Sequence, residues 1–324
     1  MPRPVPSFGK FVGHKPKVDY LRRQADGAKE RGEPCAPVLF IGPSGVGKTL
    51  LGRALATHFG SNMILANGQE SAHDLLAKLG QLRSGDFFFV DEAQNLSAKA
   101  QDLLLCVIDG EPLPPCDDPH RSAATGSHAA ANPMAIVRCT VVLATDRPGK
   151  LVNALQKRME IKIRLGSYSL REMREIVSRQ AKDMNLLISA QARNRIAKVA
   201  GGLPRSSQHL LNNLRRHFVA VEHQEISLPQ VRQFLKAAGI DRNGLGQWER
   251  RYLRHLARVG KASLESLALR LGTDPDYVLR QVEPPLMRLC LISVGSSGRA
   301  LTELGRKYLS RLNGETGRDA VKET

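Results

Sequence analysis

The sequence predicts a chain of three parts: an α/β domain with a doubly wound parallel sheet, an all-α domain and a C-terminal winged-helix domain. Short apolar strands alternate with helices over residues 1–165, which is typical of a parallel sheet. Strand patterns then stop, and amphipathic helices fill residues 166–239. Residues 240–312 read as helices followed by two short strands, and residues 313–324 as a polar, frayed tail.

The elements of the first domain follow from apolar runs and helical periodicity. Val38–Ile41 is an apolar run that ends in a glycine-rich turn, and helical spacing begins at Lys48. Residues 110–135 are rich in Pro, Ala, Ser, His and Asp without a clear period, which predicts a long loop or a weak hairpin. We predict helices over residues 18–31, 48–59, 74–82 and 98–108, and strands over residues 38–41, 86–90, 136–144 and 161–163.

The remainder of the chain reads as helices joined by short turns. Glycine and asparagine residues within 239–246 predict a linker. Beyond it, the turn at residues 295–298 separates two short strands, which is the pattern of a wing, and we expect Trp248 to anchor the core of this domain. We predict helices over residues 170–184, 189–200, 206–221, 228–238, 248–258, 263–271 and 275–289.

The 324 residues are strongly basic, with 48 Lys and Arg against 31 Asp and Glu and a formal net charge of +17. The excess is uneven, because residues 151–220 hold 14 basic and 4 acidic residues, whereas residues 241–324 hold 15 and 10. This balance favours a polyanionic partner, nucleic acid first and an anionic membrane surface second. Each cluster, taken alone, can equally be a solvated helix face.

Composition excludes several other classes of protein. A hydrophobic fraction of 42% and a charged fraction of 24% are globular values, so wholesale disorder is excluded. No run approaches the ~18 apolar residues of a membrane helix, and the first residues lack the apolar core of a secretory signal. The five scattered cysteines suit free thiols in a reducing compartment, so we expect a cytoplasmic protein.

The turn after the first strand matches the phosphate-binding pattern G-x-x-x-x-G-K-[ST], in residues Gly42, Pro43, Ser44, Gly45, Val46, Gly47, Lys48 and Thr49. The glycines let backbone N–H groups point at phosphate oxygens. Lys48 can reach the β- and γ-phosphates, and the Thr49 hydroxyl can ligate Mg²⁺. The motif follows a predicted strand and opens a predicted helix, as this loop requires, so the sequence predicts a site for ATP and Mg²⁺.

An acidic pair follows the second fully apolar strand of the α/β domain, at Asp91 and Glu92. Asp91 would hold Mg²⁺, either through a water molecule or together with Thr49. Glu92 would act as the general base that polarises the attacking water. A carboxylate in this place favours hydrolysis of the nucleotide over mere binding.

Further polar side chains are candidates on weaker signals. Thr145 and Asp146 end the third apolar strand, where they could sense the γ-phosphate or simply begin a polar loop. Arg158 could supply positive charge to the transferring phosphoryl group in a neighbouring subunit, or be a surface arginine. Arg205 begins a helix and could reach the phosphates from the helical domain, or it could also be a surface arginine.

Taken in order along the chain, these motifs resemble the RuvB family of AAA+ ATPases, the motors of bacterial Holliday-junction branch migration. The resemblance covers about residues 3–312. The matching segments are Arg3-Pro4 and Phe11–His14, similar to the family's N-terminal box near the adenine; Gly42–Thr49, its Walker A; Val90–Gln94, its Walker B; Ala144–Arg147, its sensor 1; Leu155–Met159, its arginine-finger segment; Gly202–Arg205, its sensor 2; and Glu283–Leu286 and Gly298-Arg299, in its winged helix.

The resemblance implies roles for individual residues. It makes Arg158 the trans-acting finger, Arg205 the sensor-2 arginine and Tyr168 a nucleotide-contacting tyrosine. Arg3 would lie near the adenine, and Leu50, where the family has a second Thr, would border the phosphates. Arg299 would be a wing arginine in contact with DNA.

The sequence also departs from the family pattern. Gln156 replaces the first Arg of the finger segment, and Ser297 stands where the wing has another Arg. The largest departure is residues 110–135, where the family places an apolar hairpin that docks its junction-recognising partner, RuvA. Here the stretch is less apolar and rich in Pro and Ala, so the docking mode differs or the partner is another protein.

Two hypotheses of different classes follow. The first is an ATP-driven DNA motor for Holliday-junction branch migration in recombination and repair, which works as a homo-oligomeric ring, a hexamer as in the family. It would grip duplex DNA or a four-way junction mainly by the backbone, with a RuvA-like partner. The alternative is an ATP-switched DNA-binding or loading protein that does not translocate. A membrane partner drops out, because a P-loop ATPase with a winged helix explains the charge better.

Overall fold

The computed structural model describes residues 7–112, 138–218 and 225–320, with the backbone alone for residues 313–320. The chain divides into two compact units. The first extends to Ile176 and includes Leu203–Arg205; the second comprises Val177–Gly202 and the residues from Ser206 onward. The predicted boundaries after residues 165 and 239 divide the chain differently, because helices of the all-α part are shared between the two units, and these boundaries stay a prediction.

The first unit contains a parallel sheet, as the sequence predicts, with five strands instead of the four predicted. Its strands are β1 (Val38–Ile41), β2 (Met63–Asn67), β3 (Phe87–Asp91), β4 (Thr140–Thr145) and β5 (Ile161–Arg164), in the spatial order β2-β3-β4-β1-β5. All four pairings are parallel. β1 and β4 are buried at every position, since helices cover both faces of such a sheet and leave no polar side.

The helices of this unit are α1 (Lys15–Glu30), α2 (Lys48–Phe59), α3 (Ala72–Leu79), α4 (Ala98–Asp109) and α5 (Asn153–Arg158). Helices α1 to α4 agree closely with the predicted spans, whereas α5 is missing from the sequence prediction. Strand β2 is missing from the sequence prediction, because it lies at the sheet edge and is only partly buried, so no continuous buried run marks it. The predicted strand over residues 136–144 begins at Thr140 among the described residues.

The register of the sheet brings the predicted site residues to one edge. Ile41, the last residue of β1, pairs with Thr145 at the end of β4. Asp91 ends β3, the neighbour of β4 on its other side. Ligands of such sheets bind outside the carboxyl ends of the strands, where the direction of winding reverses. The fold therefore places the turn after β1, the acids after β3 and Thr145 around one crevice.

The all-α part contains α6 (Leu170–Asp183), α7 (Ala190–Val199), α8 (Pro204–His217) and α9 (Leu228–Ala237). Helix α7 begins where the Ser189 side chain accepts a hydrogen bond from the backbone N–H of Ala192, a standard N-cap. Helix α8 buries an apolar stripe that includes Leu211 and Leu214. The sequence predicts that this helix continues to residue 221. Residues 219–221 of that prediction lie outside the described ranges.

The winged-helix part is also as predicted in outline. It contains α10 (Gln247–Val259), β6 (Lys261–Ala262), α11 (Leu264–Leu271), α12 (Pro275–Tyr277), α13 (Glu283–Arg288), β7 (Ile292–Gly295), β8 (Gly298–Leu301) and α14 (Glu303–Ala320). Strands β7 and β8 form the antiparallel wing, and β6 adds a third strand. No helix in the described ranges is long and apolar enough to cross a membrane.

Three details of the winged-helix prediction are wrong. The predicted helix over residues 275–289 is broken by a π-helical turn at Val278–Val282, just before two prolines that lack the N–H groups for regular helical bonds. The predicted frayed tail is helical as far as Ala320. Trp248 does not anchor the core, since it is 37% exposed in the first turn of α10, whereas Tyr252, one turn later, is fully buried.

Candidate functional site

The turn after β1 forms a cradle for phosphate groups. Gly47 has a φ of 103°, a backbone conformation that favours glycine, and α2 begins at the next residue. The N–H groups in the first turn of a helix have no intrahelical partners and are free to bind an anion. Gly45 lies so close to Arg205 that a Cβ atom added to it would approach the Arg205 Cβ to 2.6 Å.

Lys48 holds a buried positive charge at this cradle. Its side chain is 6% exposed, and its Nζ donates to the carbonyl oxygens of Gly42 at 2.8 Å and Pro43 at 3.1 Å. Burial lowers the pKa of Lys48, and nearby carboxylates, Asp91 foremost, oppose that shift. The ammonium group is thus fixed beside the loop whose backbone would surround the phosphates.

Thr49 and Asp91 lie together, as predicted. Thr49 Oγ1 donates to Asp91 Oδ2 at 2.9 Å, and Asp91 Oδ1 accepts the backbone N–H of Glu92 at 3.0 Å. Mg²⁺ prefers oxygen ligands and is usually held by one or two protein side chains together with substrate phosphates. A hydroxyl and a carboxylate beside a phosphate cradle therefore fit a magnesium–nucleotide complex.

A chain of hydrogen bonds joins Glu92 to Thr145. The Glu92 carboxylate accepts a hydrogen bond from Gln94 Nε2, and Gln94 Oε1 accepts one from Thr145 Oγ1 at 2.7 Å. The backbone of Glu92 has a φ of 52°, a strained conformation that costs about 1–3 kcal/mol and is often found at active sites. The predicted base and the predicted phosphate sensor are thus physically connected.

Gln94 is the functional side chain that sequence reasoning missed. It lies two residues after the predicted base and bridges Glu92 and Thr145, two candidate residues that are far apart in the sequence. Its position in the Walker B segment was the available signal. A glutamine has no ionisable group, so a search for acids and bases passes over it.

Tyr168 lies behind the cradle. Its hydroxyl donates to the carbonyl oxygen of Val46 at 2.7 Å, and burial raises the pKa of the phenol, so it stays a neutral donor. The His14 ring centroid is 4.6 Å from that of Tyr168. A Cβ atom added to Gly47 would lie 3.5 Å from the ring of Phe11. The N-terminal segment and Tyr168 therefore share one wall of the site.

Arg205 contacts the same loop at Ser44 and Gly45. Its Nη1 donates to Ser44 Oγ at 2.7 Å, and its backbone N–H donates to the carbonyl oxygen of Gly45 at 3.2 Å. The start of helix α8 is thereby joined directly to the phosphate cradle. The geometry agrees with a residue that senses phosphates, and that role stays a prediction.

The remaining predicted site residues are exposed or lie outside the described residues. Leu50 is 50% exposed on α2. Pro43 is exposed at the tip of the loop. Asp146 is exposed, and its Oδ1 lies 3.7 Å from Arg147 Nε. Arg3 lies outside the described residues, so its predicted place near the adenine stays a prediction.

Arg158 is held away from this site by another carboxylate. Its Nε donates to both Asp109 oxygens at 2.6 Å, and this hydrogen bond raises the pKa of the guanidinium. Asp109 ends α4 and Arg158 ends α5. Within the described ranges, Arg158 forms no hydrogen bond to the phosphate cradle of its own chain. This placement is compatible with action in a neighbouring subunit, which stays a prediction.

Arg299 on the wing is also occupied by a carboxylate. Its Nε donates to Glu283 Oε1 at 2.9 Å, and the same oxygen accepts the Tyr252 hydroxyl at 2.8 Å. The Arg299 side chain is 15% exposed and that of Glu283 only 1%. Burial lowers the pKa of Arg299, but the hydrogen bond and charge of Glu283 outweigh burial and leave it raised. The predicted DNA contact is therefore also part of the domain's internal structure.

We expect Arg299→Ala to have two effects. Glu283 would lose its cation while staying buried, which should lower the free energy of unfolding by about 3–5 kcal/mol. Binding to duplex DNA should weaken about equally for different sequences, because a backbone contact carries no base specificity. Chemical denaturation and fluorescence anisotropy with two unrelated duplexes would measure these effects.

The double variant Arg299→Ala/Glu283→Gln separates the two effects. It removes the buried charge, so it should recover part of the stability but not the DNA affinity. Recovery of both, or unchanged affinity in the folded single variant, would show that Arg299 serves structure alone.

Comparison with known proteins accounts for nearly the whole chain. Residues 3–165 match the family model described as the Holliday junction DNA helicase RuvB P-loop domain. Residues 168–241 match the RuvB AAA lid domain, and residues 242–310 match the RuvB C-terminal winged helix domain. These three matches follow the predicted order of an α/β domain, a helical lid and a winged helix.

Individual relatives carry the same description. The chain is 31% identical over 308 residues to the Holliday junction branch migration complex subunit RuvB of Desulfosudis oleivorans, covering 93% of this chain and 88% of the relative. It is 29% identical over 312 residues to the protein of that name from Fervidobacterium nodosum, with 94% and 88% covered. The solved structure of the Thermotoga maritima RuvB Holliday junction branch migration motor superposes with a TM-score of 0.79 at 29% identity, covering 94% of this chain and 97% of that one.

Proposed function

The chain belongs to the RuvB family of AAA+ ATPases, and from this premise we propose that it is an ATP-driven DNA motor that moves Holliday junctions in recombination and repair. Membership in a family of P-loop ATPases assigns it nucleotide binding and ATP hydrolysis. The observation that carries the proposal is the cluster at the phosphate cradle, in a chain that ends in a winged helix. Asp91 accepts hydrogen bonds from Thr49 and from the backbone of Glu92, and the charges of both carboxylates act on Lys48.

The first unit supplies the groups that would bind the nucleotide. Backbone N–H groups of the turn after β1 and the Lys48 ammonium would hold the phosphate oxygens. Thr49 and Asp91 would hold Mg²⁺, which neutralises charge on the phosphates when bound. Tyr168 keeps the loop in place through Val46, and Arg205 contacts it from helix α8 through Ser44.

Hydrolysis would depend on the groups at the ends of β3 and β4. The Glu92 carboxylate would take a proton from the attacking water. Gln94 would orient this carboxylate and joins it to Thr145, which would respond to the γ-phosphate. Arg158 of a neighbouring subunit would stabilise the negative charge that develops on the transferring phosphoryl group. Arg205 would pass the change in phosphate state to the helical part.

The assembly proposed is a ring, a hexamer, with each nucleotide between two subunits. The winged-helix part and the basic helical surface would hold the DNA backbone, with little preference among sequences. A RuvA-like junction-binding partner would dock in another way than through the family's apolar hairpin, because residues 110–135 are rich in Pro and Ala. Residues 113–135 of that region lie outside the described ranges.

The decisive experiment measures ATPase rates and junction movement together. Purified protein would be assayed without DNA and with linear duplex, single strand or a four-way junction, with Arg158→Ala as the inactive control. We expect duplex-containing DNA to stimulate hydrolysis and ATP to drive dissociation of a labelled four-way junction into duplex products. Stimulated hydrolysis without any junction movement would favour the ATP-switched loading protein instead.

A further inference from the structure

The winged-helix part carries a basic cleft whose residues are not among the site residues described so far. The cleft has a volume of about 170 Å³ and is lined by Arg251, Arg254, His255, Arg258, Arg270 and Leu271. No acidic side chain contributes to the lining. A single buried water needs only about 10–15 Å³, so the cleft has room for a group the size of a phosphate.

The cleft follows from the spacing of basic residues on α10. Arg251, Arg254 and Arg258, with His255, occupy positions that fall on one face of a helix. At about 1.5 Å of rise per residue, this row is about 10 Å long. Arg270 joins it from α11, and Leu271 is buried at 4% exposure. The row on α10 and Arg270 on α11 together give the cleft its positive charge.

The arginines of the cleft have no carboxylate partners. None of the four forms an ion pair within the described parts of the chain, whereas Arg280 in the same unit pairs with Asp276 at 2.9 Å. Arg251 lies near the Trp248 ring instead, with 5.9 Å between its guanidinium carbon and the ring centroid. Unneutralised like charges repel one another, and a bound anion would relieve that repulsion.

We propose that this cleft binds phosphate groups of the DNA backbone, as a contact separate from Arg299 on the wing. The inference rests on the proposed DNA-motor function. Guanidinium groups bind phosphate oxygens bidentately. A row of them suits the regular charge of a DNA strand, about one phosphate per 3.4 Å of helix axis. An acidic protein partner is less well matched, because interface cores between proteins are apolar and aromatic, and Leu271 is the sole apolar side chain lining the cleft.

The occupied state of Arg299 strengthens this inference. That side chain already neutralises Glu283 and is 15% exposed. The carboxylate of Glu283 therefore already neutralises much of the Arg299 charge inside the domain. The cleft arginines are exposed and carry charges that nothing on the described surface neutralises, so they are the better placed groups for release of counterions from DNA.

The test compares the salt dependence of DNA binding by the full chain and by Arg254→Ala/Arg258→Ala. Duplex affinity would be measured by fluorescence anisotropy at several salt concentrations. Loss of two phosphate contacts should reduce the slope of log K against log [salt] by about 1.8, since each contact contributes about 0.9. Arg254→Lys/Arg258→Lys keeps the charge and should keep most of the slope. The matched control Arg22→Ala/Arg23→Ala removes two exposed arginines from α1 and should leave the slope unchanged.

The outcomes separate this inference from the proposed function. If the wild-type chain binds no duplex, the DNA-motor proposal itself fails. If the wild type binds and the cleft variant keeps the wild-type salt slope, the cleft assignment alone is overturned. The same holds if the α1 control loses as much of the slope as the cleft variant does. Unfolding transitions and ATPase rates without DNA should match the wild type in the cleft variant and in the α1 control, because these side chains are exposed and are not among the residues of the nucleotide site.

Two further arms identify the source of the anion. Inorganic phosphate replacing chloride at constant ionic strength should leave wild-type DNA affinity unchanged; a fall to the level of the cleft variant would reassign the cleft to a free phosphorylated ligand. Poly-glutamate should compete poorly. Poly-glutamate could instead compete strongly with the wild type but not with the cleft variant. If the cleft variant also kept the wild-type salt dependence of DNA binding, the cleft would be reassigned to an acidic protein.

Discussion

Arg158→Ala is expected to lower kcat for ATP hydrolysis by about 10³-fold or more while nucleotide affinity stays within a few-fold of wild type. An arginine that stabilises the transferring phosphoryl group from a neighbouring subunit contributes about 10³–10⁵ in rate. The same residue makes no hydrogen bond to its own phosphate cradle, so ground-state binding should be spared. Steady-state kinetics at saturating ATP and titration with a fluorescent nucleotide would measure the two quantities separately.

The adjacent Lys157 provides the charge-matched control. It is exposed in the same helix, so Lys157→Ala should leave kcat nearly unchanged. Action in trans has its own test, because Arg158→Ala subunits keep an intact Glu92 and Glu92→Gln subunits keep an intact Arg158. Mixing these two inactive variants should restore part of the activity. Wild-type activity in Arg158→Ala, or no restoration on mixing, would contradict the assignment.

Glu92→Gln should lower the rate of hydrolysis by about 10²–10⁴-fold, the usual contribution of general base catalysis. Glutamine has nearly the same shape and can still accept a hydrogen bond from Gln94. The pair formed by Thr49 and Asp91 stays intact, so ATP should bind and remain uncleaved. Single-turnover hydrolysis of a radiolabelled nucleotide would show a bound, unhydrolysed substrate.

Two companions sharpen the Glu92 experiment. Glu160→Gln removes an exposed carboxylate from the same unit and should be close to wild type. Gln94→Leu leaves the base in place but removes its link to Thr145, so the rate should fall by less than in Glu92→Gln with nucleotide affinity kept. Hydrolysis by Glu92→Gln at the wild-type rate would show that another group activates the water.

Features encoded by neighbouring residues were predictable, and features formed by distant residues were not. The turn around Gly47 and Lys48, and the acids after β3, each depend on a short run of sequence that also sets the local strand and helix. The pairings of Arg158 with Asp109 and of Arg299 with Glu283 join residues 49 and 16 positions apart. No local pattern specifies which carboxylate such an arginine meets.

The misses have equally physical causes. Strand β2 lies at the edge of the sheet, so its residues are partly exposed and show no buried run. Trp248 is expected in the core, yet one turn of α10 later the chain places Tyr252 there. The sequence shows the basic excess of residues 241–324 but not where its side chains meet. Only the fold shows that α11 brings Arg270 to the arginines of α10.

The buried contacts of Glu283 have a consequence for the kinetics of DNA capture. This carboxylate joins β8, through Arg299, to α10, through Tyr252, with hydrogen bonds of 2.9 and 2.8 Å. The wing is therefore tied to the helices before any DNA arrives, and little conformational entropy remains to be lost on docking. A rigid, preformed grip of this kind lets a motor release and re-engage successive stretches of duplex without refolding its contact surface at each step.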